Sequence, residues 1–197
     1  IKTVQLLYPS MAKMEAKHQG VDDAWFTEDG FVTEGTSNNT YIVKDGKIVT
    51  RQLSNDILHG ITRASLLRYA AEAQMQIEER AFTIDEAQQA DEAFVTSASA
   101  FVMPVVRIDD APIGTGAVGP VATRLREIYL EESLKLAGGA WRPATAGGFA
   151  PGAGWSSDQW RTSRHPPRDI SAKMKSRCLP IHLGANIPGG IAERDGG

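Results

Sequence analysis

Two Asp-Gly pairs, each set between short runs of strand-forming residues, constrain this chain more than any other feature. Ala24-Trp25-Phe26-Thr27 and Phe31-Val32-Thr33 flank Glu28-Asp29-Gly30, and Thr40-Tyr41-Ile42-Val43 and Lys47-Ile48-Val49-Thr50 flank Lys44-Asp45-Gly46. A tight hairpin turn needs positive φ at its centre, which Asp tolerates and Gly adopts freely, so each cluster predicts an antiparallel hairpin. Met103-Pro104-Val105-Val106 with Ile108, then Pro112-Ile113, predict a third hairpin around Asp109-Asp110, and Ala93-Phe94-Val95-Thr96 reads as a buried strand.

Helical spacing fills the gaps between these strands. Ser10 to His18 reads as a short helix stopped by Gly20. Thr62 to about Gln76 carries Leu66, Tyr69, Ala70 and Ala73 at helical intervals. Thr83 can cap a short helix with Glu86 at the capping-box position. A last helix follows Gly119-Pro120, with Val121, Leu125, Ile128 and Leu136 facing inward. Four helices among hairpins, with no clear run of parallel βαβ units, predict a mixed α+β domain.

The 197 residues are 42% hydrophobic and 23% charged, enough apolar surface for a sizeable core. A net charge of −3 argues against a dedicated nucleic-acid binder or a basic membrane-surface protein. No apolar run approaches the roughly 18 residues of a membrane span, and residues 1–20 lack a secretory signal pattern. The single Cys178 allows no internal disulfide and no Cys-based zinc cluster, so the cytoplasm is the expected compartment. His18 and His59 stand without carboxylates at ligand spacing, so no metal site is expected. The chain begins at Ile1, which reads as an excised, processed or incomplete piece.

Charge and composition change near Ala137. Residues 138–197 carry net +4 (eight basic against four acidic side chains), whereas residues 1–137 carry −7 (thirteen against twenty). The later segment also holds 11 of the 19 Gly, 6 of the 10 Pro and 3 of the 4 Trp, with no sustained strand or helix period. The expectation is therefore a domain over 1–137 followed by an irregular or disordered tail over 138–197, in which His165 and His182 are solvated. Its composition resembles out-of-frame or readthrough translation.

Three segments could carry chemistry. Thr33-Glu34-Gly35-Thr36-Ser37-Asn38-Asn39 offers a carboxylate, small hydroxyls and turn amides between two strands. Leu58-His59-Gly60-Ile61-Thr62-Arg63 places Gly before a helix start, where free N–H groups and the helix dipole favour an anion. Thr96-Ser97-Ala98-Ser99-Ala100 is a small, hydroxylic stretch directly after a strand. Taken singly, each reads more readily as an ordinary polar loop, helix cap or strand end.

Taken together, in this order and spacing, the three segments resemble the class IV aminotransferases, the pyridoxal-phosphate enzymes of fold type IV. Within that family they are closest to the D-amino-acid aminotransferases, and the resemblance spans residues 1 to about 136. The family's reactive lysine lies in an Ile-Lys or Val-Lys pair ahead of the glutamate. Ile1-Lys2 stands 32 residues before Glu34, the family's interval.

The resemblance implies a role for each matching residue. Lys2 would link covalently to pyridoxal 5'-phosphate through its ε-amine and then move a proton between substrate Cα and cofactor C4′. Glu34 would face the pyridine nitrogen and keep it protonated. Leu58 would pack on a ring face. Gly60, the Ile61 and Thr62 amides and the Thr62 hydroxyl would hold the phosphate at the helix start, with Ser97 and the Ala98 amide completing the cup. Ser37 and Asn38 would lie at the cofactor's outer edge. A relative often has a hydroxyl residue where this chain has Ala98, so that position implies a backbone donor alone.

The implied reaction moves an amino group between an amino acid, a D-amino acid being favoured, and a 2-oxo acid. Family members are typically homodimers. They also carry an N-terminal domain ahead of the lysine, which covers the cofactor, lends an arginine to the phosphate and reads the substrate carboxylate. The sequence reads as starting at the lysine without that domain, which leaves activity of the chain alone as an open expectation. Alternatives are 4-amino-4-deoxychorismate lyase, which uses the same lysine for elimination, branched-chain-amino-acid aminotransferase, and a folded fragment without catalysis.

Overall fold

The computed structural model describes residues 6–54, 57–136 and 178–183. Both Asp-Gly turns close as their residues dictate. Asp29 and Gly30 (φ 51° and 82°) and Asp45 and Gly46 (φ 50° and 74°) all lie in the left-handed region, the geometry of a type I′ hairpin. They join β1 (Asp23–Glu28) to β2 (Phe31–Gly35) and β3 (Asn39–Lys44) to β4 (Lys47–Thr50), each pair antiparallel. The third hairpin forms from β7 (Phe101–Ile108) and β8 (Ala111–Pro112), and the buried strand is β6 (Glu92–Ser97). Among the described residues, the strands and four helices make a mixed α+β fold, as expected.

The helix α1 (Leu7–His18) ends as predicted, with Gly20 at φ 77° and Val21 N–H donating back to Ala16 O at 3.0 Å. The helix α2 (Ile61–Glu72) stops before the predicted Gln76. Gln74 takes φ 58°, its N–H reaches Ala71 O at 2.9 Å, and Met75 N–H reaches Ala70 O at 2.9 Å. That is a Schellman ending built on Gln in place of Gly, which is why no residue type announced it. Gln76–Glu79 then form β5, parallel to β4, so β4–α2–β5 is a βαβ unit that the sequence pattern did not show.

The helix α3 (Ile84–Gln88) is capped by Thr83, whose hydroxyl accepts from Glu86 N–H at 3.1 Å. The Glu86 side chain turns instead to Arg80. In α4 (Pro120–Leu136) the buried residues are Ala122 and Leu125, with Val121 packed beside them. Leu136, expected inward, is 77% exposed, because α4 packs on β7, α2 and β6 through its earlier turns and its end runs past them.

The sheet runs β2-β1-β9-β7-β6-β3-β4-β5, with β8 attached to β7. The strand β9 (Cys178–Leu183) lies in the segment read as irregular, and for these six residues that expectation is corrected. It pairs antiparallel with β1 and with β7, and Ile181 is fully buried among Trp25, Val105 and Ile108. Pro180 within it lacks an N–H and counts against an interior strand, which is what hid β9 from a local reading. His182, expected to be solvated, is half-buried opposite Arg107. Cys178 falls in β9 as well. The remainder of the predicted tail, 138–177 and 184–197, lies outside the described residues.

Strand alternation divides the core in two. Ile42, Val49, Ala93 and Val95 point into a cluster with Trp25, Val32, Phe82 and Ile181. Their chain neighbours Tyr41, Val43, Ile48 and Phe94 point into a second cluster, covered by Leu66 and Ala70 of α2 and Ala122 and Leu125 of α4. The sheet curls so that β2 meets the chain beyond β5, with Val32 N–H on Phe82 O at 3.0 Å. The Glu92 carboxylate accepts from Val121 and Ala122 N–H, both at 2.9 Å, and so anchors the start of α4.

Candidate active site

Glu34 owes its position to a bulge. Trp25 pairs with Gly35 but Thr27 pairs with Val32, so Thr33 and Glu34 together oppose Phe26. A bulge turns side chains out of simple alternation, and here both Thr33 and Glu34 are buried. Thr33 donates its hydroxyl to Phe26 O at 3.2 Å. The Glu34 carboxylate accepts from Leu58 N–H at 3.0 Å, drawing the segment before α2 onto the end of β2.

Asn39 makes the second tie. Its side-chain amide donates to Leu58 O at 3.0 Å, so Leu58 is held through both its backbone groups. Gly60 follows, and a Cβ there would collide with Asn39 Oδ1. The chain therefore enters α2 over Asn39 with no room for a side chain at position 60. Gly60 is the N-cap of α2 and supplies no capping side chain, and the first turn of the helix holds no acidic residue. By contrast, α3 is closed by Thr83 and α4 by Glu92. Among the described residues no side chain caps the amides that open α2, a start suited to an anion. Ile61 is 79% exposed and Thr62 is buried. Arg63, also buried, donates to Arg51 O at 3.0 Å and to Glu79 at 2.6 Å, tying the first turn of α2 to the ends of β4 and β5.

The register of β3 against β6 brings in the third segment, since Asn39 pairs with Thr96. Thr96 and Tyr41 share a hydrogen bond at 3.0 Å, and burial pushes the Tyr41 phenol far above its ordinary range, so it stays protonated. The Ser97 hydroxyl accepts from Ala100 N–H at 3.1 Å. Arg126 of α4 donates to Ala100 O and Val102 O, both at 2.8 Å, and braces the turn that holds exposed Ala98.

The end of β2, the start of β3, the end of β6 and the start of α2 therefore converge at one end of the sheet. Glu34, Leu58, Gly60, Ile61 and Thr62 sit together there, with Ser97 and Ala98 on the neighbouring strand end. Asn38 sits close by, but its side-chain amide donates to Asp23 at 2.8 Å and away from the others. Ser37 is exposed in the same turn. Lys2 lies outside the described residues. Asp23, Asn39 and Arg63 carry much of the geometry, and the motif pattern does not single them out as site residues. Asn39 and Arg63 do fall inside the segments that the motif reading quoted. Nothing local marks Asp23.

A model of the family described as Amino-transferase class IV matches residues 1–108. The chain belongs to the class IV aminotransferases. The D-alanine aminotransferase of Bacillus licheniformis is 43% identical over 139 residues, which is 68% of this chain and 49% of that protein. The D-alanine aminotransferase of Staphylococcus aureus (strain N315) is 40% identical over 127 residues, 64% of this chain and 45% of that protein. Among solved structures, the branched-chain amino acid aminotransferase from Thermobaculum terrenum in its PLP-form matches with a TM-score of 0.63 and 33% identity. It covers 67% of this chain and 44% of that one. The branched-chain aminotransferase from the archaeon Thermoproteus uzoniensis with norvaline gives 0.62 and 31%, over 66% of this chain and 43% of that one. The chain spans about half the length of the curated relatives it matches. No helix among the described residues is long and apolar enough to cross a membrane.

Proposed function

We propose that this chain is the cofactor-holding part of a pyridoxal-phosphate-dependent aminotransferase that moves an amino group between an amino acid and a 2-oxo acid. The observation that carries this reading is the pairing of a buried carboxylate, Glu34, with an uncapped helix start at Ile61–Thr62, both anchored through Leu58. An acid for a ring nitrogen and an anion cradle for a phosphate are the two fixed needs of this cofactor, and the residues present fit them. Pyridoxal phosphate, when bound, supplies the electron sink that lets the substrate Cα–H bond break.

The chain's own residues do the remainder. Glu34 holds a proton on the pyridine nitrogen by opposite charge. The Ile61 and Thr62 amides, with the Thr62 hydroxyl, bind the phosphate oxygens, and Gly60 lets the backbone approach them. Ser97 and the Ala98 amide complete that cradle. Leu58, 52% exposed, covers one ring face and keeps water from it. Ser37 stands at the rim, whereas the Asn38 side chain is turned to Asp23. Lys2 carries the covalent link through its ε-amine and moves the proton at substrate Cα.

The D-alanine aminotransferases among the relatives favour a D-amino acid as substrate. The branched-chain enzymes among the structural neighbours support a second reading, a branched-chain amino acid. A cytoplasmic homodimer is the proposed setting of the whole protein. The test is uptake of pyridoxal phosphate by the full chain, then borohydride reduction and peptide mapping. The expected product is a pyridoxyl group on Lys2. An unmodified Lys2 in a cooperatively folded chain would reject the reading.

A further inference from the structure

Asp23 opens β1 and is 3% exposed, yet nothing in the proposed chemistry uses its carboxylate. Among the described residues its bonds go to two places. Its Oδ1 accepts from Ala24 N–H on its own strand at 2.9 Å and from the Thr36 hydroxyl, and its Oδ2 accepts from Asn38 Nδ2 at 2.8 Å. Thr36 and Asn38 are the two ends of the turn between β2 and β3. Gly35 N–H closes that turn on Asn38 O at 2.9 Å.

The side chain of Asn38 has little freedom. Among the described residues its Oδ1 is buried with no hydrogen-bond partner, and a Cβ at Gly35 would collide with it. It is therefore clamped between the Asp23 carboxylate and the Gly35 backbone. A buried carboxylate deprived of its donors is costly, so the Asp23 bonds admit few other arrangements of this turn. The shoulders of the turn are Glu34 and Asn39, and each of them hydrogen-bonds one backbone group of Leu58. Whatever fixes the turn therefore fixes the aim of Glu34 and the distance from Leu58 to the start of α2.

We infer that Asp23 is a positioning residue, which holds the Thr36–Asn38 turn and through it aligns Glu34 and Leu58 for the cofactor. The inference rests on the proposed cofactor site. It also reassigns Asn38 from the cofactor's rim to the partner of Asp23.

A charge swap tests it on the full chain. Asn38→Asp sets two carboxylates against each other at hydrogen-bond distance and should loosen the turn. Asp23→Asn combined with Asn38→Asp restores the pair at unchanged net charge. The amide introduced at position 23 donates to the carboxylate introduced at position 38, and it still accepts from Thr36 and Ala24. The readouts are backbone amide exchange over residues 35–39, the thermal midpoint, pyridoxal phosphate affinity and the circular dichroism of the bound cofactor. Asn38→Asp should speed exchange at the turn and weaken cofactor binding by about tenfold or more. The double variant should recover both and regain the wild-type dichroism band. A double variant with wild-type midpoint and exchange but affinity still at the single-variant level would overturn the inference. So would Asn38→Asp binding and exchanging like wild type. A wild-type chain that takes up no pyridoxal phosphate would sink the cofactor reading instead, and amide exchange would then decide whether Asp23 holds the turn.

Discussion

Replacing Ile181 with Ala asks whether the distant strand β9 belongs to the fold in solution. Ile181 is fully buried and packs in the cluster of Trp25, Val105 and Ile108, between strands that both pair with β9. The substitution removes three buried carbons, a transfer loss of about 2.4 kcal/mol at about 0.8 kcal/mol each. Tight packing on both flanks prevents full collapse of the cavity, which brings the total to about 3 kcal/mol. For a chain of this size that is a drop in midpoint of about 6–12 °C. A charge at the same place, Ile181→Asp, should cost no more than β9 itself contributes, because the strand would leave the sheet before it buried an unpaired carboxylate. Thermal and urea melts of the full chain read both variants, with Leu136→Ala, at a site 77% exposed, as the control expected to melt with wild type. An Ile181→Ala midpoint within about 1 °C of wild type would refute the reasoning and remove β9 from the sheet.

Gly60 has φ −65° and ψ 133°, open to any residue, so the cost of Gly60→Ala comes from its collision with Asn39 alone. It should lose about 1–3 kcal/mol in urea melts, and less than the sum of the single losses when combined with Asn39→Ala; strict additivity would contradict the contact. The hydrogen bond from Arg80 holds the Glu86 carboxyl below its usual range, so the pair's stabilisation is present above the unfolded carboxyl range and is lost as pH falls through the folded value. With Arg80 36% and Glu86 21% exposed, the stability difference between wild type and Glu86→Gln should stay under about 1 kcal/mol near neutrality and vanish in acid; a pH-independent difference would show that the charge is not responsible.

Features readable from the chain are those whose cause lies within a few residues. The Asp29-Gly30 and Asp45-Gly46 turns, the Thr83 cap and the Gly20 stop each follow from a side chain's own conformational preference or reach. The end of α2 differs from its local signal because Gln74 accepts a left-handed conformation that its residue type does not favour. The hydrophobic packing of Met75 on the cluster below α2 accompanies that ending. The site divides the same way. The order and spacing of Glu34, Leu58, Gly60, Thr62 and Ser97 were visible as a pattern, whereas the turn of Asn38 toward Asp23 was not.

Local preferences thus set the hairpins, most helix ends and the order in which the chemistry-bearing segments appear, because φ and side-chain reach act over short stretches of chain. Tertiary structure alone decided that β5 lies parallel beside β4, that β9 enters between β1 and β7, and that Asp23 meets Thr36 and Asn38. Each of those needs partners far away in sequence. Their free energy comes from burial and paired backbone groups that exist only once the sheet has curled, and no residue can signal a partner it meets only then.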